Sequence, residues 1–555
     1  MSIPASPGLA SIVQRPAARP SSPAGAAGSP VVSVDATAPS HAAGVPGPAP
    51  ERAGARRRPA ATAFTAAALI AAGALAAAVP AGAQGGRIGP TPAGPPPEGT
   101  VPPPTAQLLG DEVEATAVAL RDAAVKGTKA WSLVSSLTTE VGPRPAGSPG
   151  DRRAVAWAVR TLQELGFSNV HTEKVMVPHW ERGAEAGEIV APYPQPVALT
   201  ALGGSVATPA GGIEAPVVEV AGLEALDHLE AAKVKGAIVF FNTRTDRTRD
   251  GSGYAKAVPV RVSGAARAAK LGAAAVLIRS IGTDSNRLPH TGTQLYEKGV
   301  AKIPAAALSN PDADLLAAEI AGGKPVRFRL NLASRSLPAA ESANVIGEIP
   351  GREKPEEIVL LGAHLDSWDL GTGAIDDGTG CAIVIEAARR IGELKTRPRR
   401  TVRVVLFANE EFGLSGAEAY AKAHAKELPR HIVALESDLG QGRIWRLESR
   451  VTLESMGWVR DLHRLVFPIG AGSGTNQGEG GADLVPLERA GVPSLSLLQD
   501  ATAYFDFHHT ANDTLDKANP RDLDYNVAAW SAVAYAVAEM PGDFGRVFPK
   551  PPPKP

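Results

Sequence analysis

Five short stretches of this chain gather side chains that hold divalent cations and move protons: Ala363-His364-Leu365-Asp366, Asp376-Asp377-Gly378, Asn409-Glu410-Glu411, Glu436-Ser437-Asp438 and His508-His509. Residues two apart in an extended segment face the same side. Asp366 can therefore accept the second N–H of the His364 imidazole while the other ring nitrogen meets a metal. Taken singly, a His beside an Asp is an ordinary surface pair, and Asp376-Asp377 reads equally well as a cap on a helix N-terminus. Glu410 and Glu411 are less ordinary, because adjacent ionised carboxylates at the end of an apolar strand repel unless cations or protons intervene.

The elements that must position these residues form a regular alternation. Residues 358–362, 402–408, 432–436 and 494–498 are short apolar runs of strand character, and 378–394, 415–426, 453–465 and 523–540 carry helical periodicity. That order implies an α/β fold, a mostly parallel sheet with helices on both faces. In such sheets ligands bind beyond the carboxyl ends of the strands. The five stretches sit in successive loops on that side, offering His, Asp, Glu, Asp and His, a set that suits zinc in a shared two-metal site. Two metals roughly 3.5–4 Å apart need a bridging carboxylate and can share a hydroxide, the arrangement used to hydrolyse an amide, and a spare carboxylate can serve as the base.

Upstream, residues 113–137 and 151–165 are helical in pattern, and Gly166 ends the second helix. Residues 184–336 differ in character, with apolar strands at 217–220, 237–241 and 273–278 and one helix at 264–271, so they read as an inserted, β-rich domain. The peptidic framework around it is then 107–183 and 337–545, with a Pro-rich tail at 546–555. A chain of 555 residues exceeds what one hydrophobic core supports.

Composition narrows the chemistry. Lys plus Arg number 56 and Asp plus Glu 57, a net charge of −1, which disfavours nucleic acid as a partner. Cys381 is the single cysteine, so any metal must be held by His, Asp and Glu; on the helix after Asp377 it reads as packing. Residues 1–55 are an Ala-, Pro-, Ser- and Gly-rich extension read as disordered. Arg56-Arg57-Arg58, an apolar run to Val79 and Ala81-Gly82-Ala83 make 56–83 a signal peptide, followed by a linker at 84–106. The processed protein is expected to be periplasmic or secreted, with no membrane contact once the leader is removed.

Together GAHLDSWDLGTGAIDDGTG, FANEEFGLSGAE, ESD and FHHTANDT resemble the motifs of the co-catalytic zinc exopeptidases, the family of leucyl aminopeptidases and glutamate carboxypeptidases, over roughly residues 107–545, and most closely its carboxypeptidase Q branch. VKGAIVFF and AKLGAAAVLI in the inserted segment resemble a protease-associated domain. The resemblance implies two zinc ions bridged by Asp376, with His364 and Asp438 completing one site and Glu411 and His509 the other. It also implies Glu410 as general base, Asp366 as orienter of His364, a cis peptide before Asp377, a peptide substrate and a homodimer. Glutamate carboxypeptidase has a tyrosine before the last histidine ligand where this chain has His508, which makes His508 a candidate for oxyanion stabilisation. A receptor-like scaffold on the same fold would have lost ligands, and a glutaminyl cyclase would bind one zinc.

Recognition of a terminal carboxylate calls for Arg or Lys. Residues 361–380, 409–416, 436–442, 471–487 and 499–516 contain neither, which favours docking of a free N-terminal ammonium and an aminopeptidase or dipeptidase over a carboxypeptidase. The inserted domain, a dimer mate or Arg443 remain sources of a cation from outside these loops.

Overall fold

The computed structural model describes residues 107–548. The expected extension, signal peptide and linker, residues 1–106, lie outside the described residues, as do 549–555.

Eight strands build the central sheet, in the order Ser168–Glu181, Arg335–Ile349, Arg400–Phe407, Lys354–His364, His431–Glu436, Ser494–Gln499, Ile444–Arg450 and Gly472–Ser473. Arg400–Phe407, Lys354–His364, His431–Glu436 and Ser494–Gln499 run parallel. Antiparallel pairs flank them on both sides. The sheet is therefore mixed rather than mostly parallel: it is parallel at its centre and again in the short edge pair of Ile444–Arg450 with Gly472–Ser473. Continuous apolar runs such as Ile358–Leu361 and Val404–Phe407 mark strands buried on both faces. On one face lie the largely buried helices Thr379–Gly392 and Pro520–Glu539, with Asp111–Ala124 packed on the second, while Pro149–Glu164 lies directly on the strands Ser168–Glu181 and Arg335–Ile349. Ser415–Ala423 and Val485–Arg489 cover the other.

Sequence reading joins residues 113–137 into one helix, whereas two form, Asp111–Ala124 and Ala130–Ser136, separated at Gly127, whose φ of 149° breaks the periodicity. Pattern reading also passes over Ser168–Glu181 and Arg335–Ile349, which pair antiparallel along nearly their whole length. Their polar, half-exposed alternation gives no apolar run to detect. This ribbon leads to a second sheet whose strands span 185–332: at its tip Ala333 N–H donates to the Ala184 carbonyl at 2.9 Å, so the chain leaves the insert where it came in. The second sheet also has eight strands, four of them parallel (Ile213–Val220, Ile238–Phe241, Ala275–Arg279 and Ala305–Leu308). It carries helices too, notably Ser252–Lys270 and Asn310–Ala321, so β-rich understates it.

A polar cluster under the covering helix Ser415–Ala423 ties the sheet to its surroundings. His431 is fully buried, with Nδ1–H donating to the Glu427 carbonyl (3.3 Å) and Nε2 accepting from the Tyr420 hydroxyl (2.9 Å). Arg403 in turn donates to the Tyr420 oxygen and to Glu427. Burial first, then the Arg403 charge, push the His431 imidazole down from 6.5 to about 3. The folded state thus refuses a proton that the unfolded chain accepts, and the associated stability is present above pH 6.5 and lost as pH falls from 6.5 toward 3. Between pH 7 and 4.5 this one residue is expected to cost about 2–3 kcal/mol. Urea unfolding of the wild type and His431→Gln at both pH values checks it: the variant should show the flatter pH dependence, and equal slopes would remove His431 as the cause.

Candidate metal centre

The residues singled out in the sequence converge beyond the carboxyl ends of the central parallel strands. Lys354–His364 ends on His364, Arg400–Phe407 leads into Asn409-Glu410-Glu411, and His431–Glu436 leads into Asp438. Asp376 lies between two histidines. Its Oδ1 is 3.1 Å from His364 Nε2 and its Oδ2 is 3.3 Å from His509 Nε2. His364 Nε2 is also 3.4 Å from Asp438 Oδ1, and His509 Nε2 is 2.9 Å from Glu411 Oε2. The geometry therefore makes two triads, His364–Asp376–Asp438 and His509–Asp376–Glu411, with Asp376 common to both.

Two observations test whether such triads fit metal ions. Tetrahedral coordination with bonds of about 2.0–2.1 Å places neighbouring donor atoms roughly 3.3 Å apart, close to the histidine-to-carboxylate separations of 2.9–3.4 Å in each triad. Asp376 Oδ2 and Glu411 Oε1 are buried without a hydrogen-bond donor, a cost of about 1–3 kcal/mol or more for each such group unless a cation meets it. Both fit.

Asp377 does different work. The Asp376–Asp377 peptide is cis, and the Asp377 carboxylate accepts the main-chain N–H of His364 (3.2 Å) and of Gly380 (3.0 Å). It caps the helix Thr379–Gly392 while Asp376 faces the histidines, so each reading of the acidic pair applies to one member. Gly380 is obligatory, since a Cβ there would sit 2.0 Å from the Ser437 carbonyl.

Asp366 departs from expectation. His364 Nδ1 lies 3.1 Å from the main-chain oxygen of Asp366 and 3.8 Å from its carboxylate. The strand ends at His364, so the two-residue alternation does not continue and the carbonyl, rather than the side chain, receives the ring N–H. The Asp366 carboxylate instead accepts the N–H groups of Glu410 (3.0 Å) and Glu411 (3.4 Å), fixing the turn that presents both acids. Within that turn Asn409 holds φ 63°, a left-handed conformation costing about 1–3 kcal/mol. Glu411 is buried and Glu410 is partly exposed. Burial above all raises the pKa of both, and the neighbouring acids add to it.

His508 stacks on His509 with ring centroids 3.5 Å apart, its Nε2 3.7 Å from Asp376 Oδ2 and its Nδ1 without a partner. Tyr254, Tyr504 and Phe505 wall it in. Burial and then the charge of His509 hold its pKa well below the ordinary value, so it stays neutral.

Several residues at the site are not marked by the five motifs. Arg144, fully buried, donates to the carbonyls of Leu365 (2.6 Å), Thr372 (2.8 Å) and Gly373 (2.8 Å), clamping the loop that carries Asp376. Nothing in its GPRPAG surroundings marks it. Asp513 holds the same loop from the far side through the N–H groups of Ile375 and Asp376; it belongs to FHHTANDT, and that position was the available signal. Tyr254 and Arg261 come from the insert helix Ser252–Lys270. Arg261 is 5 % exposed, has Nε unpartnered, lies 3.3 Å from His509 Nδ1 and pairs with no carboxylate among the described residues. Cys381 is buried packing, its thiol donating to the His364 carbonyl.

Buried histidines and carboxylates grouped around one shared aspartate, beyond the ends of parallel strands, define a metallohydrolase on an α/β fold. Comparison with known proteins gives the family. Residues 344–534 match peptidase family M28. Carboxypeptidase Q of Mus musculus is 36% identical over 430 residues, covering 77% of this chain and 90% of that protein. The solved structure of a peptidase M28 precursor from Shewanella amazonensis is 47% identical with a TM-score of 0.78, covering 79% of this chain and 100% of that one. A zinc aminopeptidase from Bacillus subtilis shares the fold, at 24% identity and TM-score 0.55 over 76% of this chain and 97% of its own. The chain belongs to peptidase family M28 and is a metal-dependent exopeptidase.

Proposed function

We propose that this protein is an exported two-zinc exopeptidase that hydrolyses dipeptides and other short peptides. The observation that carries the reading is Asp376 placed between two triads, each with the donor types and spacing zinc takes. His364 and Asp438 would hold one ion, Glu411 and His509 the other, and Asp376 both. When bound, the two ions would polarise the scissile carbonyl and lower the pKa of the attacking water. Glu410, the partly exposed acid, takes a proton from that water and returns it to the leaving nitrogen as the C–N bond breaks. Asp366 keeps Glu410 in place through its main-chain N–H. Neutral His508 offers a ring N–H to the oxygen on which negative charge develops.

Glu410→Gln is expected to keep two zinc ions per chain and lose roughly 10²- to 10⁴-fold in kcat. Asp438→Ala should lower occupancy toward one. Metal analysis alongside turnover reads both; an active Glu410→Gln, or one zinc at saturation in the wild type, would overturn the assignment.

Polarity follows from charge. The five catalytic loops are rich in acids and lack Arg and Lys, a surrounding for an ammonium group. The cation absent from them arrives from the insert as Arg261, buried and without an anionic partner among the described residues. Desolvating a guanidinium without a counter-ion is costly, so a carboxylate-bearing substrate is its natural complement. Both ends of a dipeptide are then recognised, and the second sheet, read as a protease-associated insert, supplies the carboxylate side. N-acetylation and C-amidation of a matched dipeptide are each expected to reduce kcat/KM roughly ten- to hundred-fold. In Arg261→Met the amidation penalty alone should vanish. An acetylated dipeptide cleaved as fast as its parent would overturn recognition of the amino end.

Export rests on the order of basic, apolar and small residues in 56–83. Among the described residues no helix is long and apolar enough to cross a membrane. N-terminal sequencing of the protein from its native cell is expected to begin at Gln84, outside the inner membrane; an intact leader on cytosolic protein refutes export.

A further inference from the structure

One short segment of the insert reaches the last histidine pair and holds it by its main chain. His290 is buried; its Nδ1–H donates to the His508 carbonyl at 2.7 Å, and its Nε2 is anchored 2.6 Å from Asp284 Oδ1, a carboxyl that is itself 4 % exposed. The next residue, Thr291, donates its N–H to the His509 carbonyl at 3.0 Å and presents its own carbonyl 3.3 Å from His509 Nδ1. Arg261 Nη1 also lies 3.3 Å from that ring nitrogen, but a guanidinium only donates, so a hydrogen on Nδ1 goes to the Thr291 carbonyl, which leaves the Nε2 lone pair facing Asp376 and Glu411. Gly292 follows at φ 135°, and a Cβ there would meet the Arg261 guanidinium at 2.4 Å, so the same segment also sets where Arg261 lies.

His509 needs such support. Its φ of 63° is left-handed, a conformation a histidine keeps only where its surroundings enforce it. Relaxation of that torsion would swing Nε2 away from Asp376 and Glu411. The carbonyls of 508 and 509 and the ring nitrogen of 509 are all engaged by residues 290 and 291, and the segment is tied down in turn. Arg182 forms a bidentate pair with Asp369 on the peptidase side and reaches Thr291 Oγ1, whose hydroxyl donates to the Ala201 carbonyl.

We propose that His290, braced by Asp284, is a positioning residue for the metal centre: it holds the 508–509 backbone so that Thr291 fixes the tautomer and direction of the His509 ring, which makes the insert a determinant of affinity at one metal site and not the other. The inference rests on the reading of His509 as a ligand. It extends that reading to residues some 220 positions away in the chain, in the irregular segment between Ala275–Arg279 and Ala305–Leu308.

The test is stepwise metal affinity of the full chain, measured by competition with a chromogenic chelator and by the visible spectrum of the cobalt-substituted protein. His290→Ala is expected to weaken one of two metal dissociation constants about 10- to 100-fold, the range for a lost outer partner of a ligand, and to alter the cobalt spectrum, with the other constant kept. His290→Asn, whose amide can still donate to the His508 carbonyl, should recover most of the loss. Arg287→Ala, which cuts the ion pair of the same loop to Asp312 without touching residues 290–292, should leave both constants within about two-fold. Two wild-type constants and an unchanged spectrum in His290→Ala would overturn the proposal while leaving the ligand assignment intact. Equal weakening by Arg287→Ala would also overturn it, by reducing the effect to loop stability. If His290→Ala fails to fold, Asp284→Asn carries the test: selective weakening of one constant supports the brace and unchanged constants overturn it. A wild-type stoichiometry of one would instead sink the two-metal reading itself.

Discussion

Mutual repulsion among buried carboxylates is the constraint on which the rest of this structure depends. Asp366, Asp376, Asp377, Glu410, Glu411, Glu436, Asp438, Asp483 and Asp513 meet beyond one end of the central sheet, and burial is the largest influence on every one of them. A few are satisfied by main-chain donors, as Asp377, Asp366 and Asp513 are. Glu436 likewise accepts the Asp483 N–H, while Asp376, Glu411 and Asp438 face two histidines, which cannot neutralise them all. On the proposed two-zinc reading, four positive charges enter where the negative charge is densest, and the centre should be far more stable loaded than bare. The scaffold answers the same constraint with cations that never touch the metals. Arg144 is aimed at carbonyls rather than acids, so it fixes the Asp376 loop without drawing the carboxylate away from the histidines.

The insert has a physical task that its separate sheet conceals. Trp368 and Phe412, from the two peptidase loops beside His364 and Glu411, pack with Trp180 at the ribbon tip, and Trp368 presses so closely on Gly203 that a Cβ there would come within 2.1 Å of the ring. Arg247 reaches across to Asp506 and the Thr502 carbonyl, just before His508. Aromatic packing gives the junction area, and ion pairs give it register. Because each contact lands within a few residues of His364, Glu411 or His508, the insert and the candidate metal centre are mechanically joined.

What the sequence disclosed follows from how each feature is encoded. His364, Asp376, Glu410, Glu411, Asp438 and His509 sit directly beyond recognisable strands or inside dense motifs, and local pattern was enough to gather them. The antiparallel ribbon was illegible because residues 168–181 pair with 335–348 through a mostly polar alternation, and only the short stretch around Val345, Ile346 and Ile349 enters the core. Arg144, Arg261 and His290 were illegible for a different reason: each acts through main-chain or long-range partners whose identity no neighbouring residue reveals. The role given to the Asp366 side chain assumed a strand that continues two residues further than it does. Spacing can place a side chain only as far as the backbone stays regular.

The division of charge between the two parts of the molecule bears on how a single site could read both ends of a small substrate. Acids lie on the peptidase loops because metal binding and proton transfer require them there. An arginine in those same loops would collapse onto the nearest carboxylate, as Arg403 does on Glu427 elsewhere in this chain, and would be lost to the substrate. Arg261 avoids that outcome because it stands on a separate scaffold. The helix Ser252–Lys270 holds it against Tyr254 and the Gly292 turn, close to His509 yet pairing with no acid among the described residues. On the proposed function, keeping the cation on the insert and the anions on the sheet would let opposite charges coexist in one site without cancelling, and such a site would select a molecule that carries both charges a short distance apart.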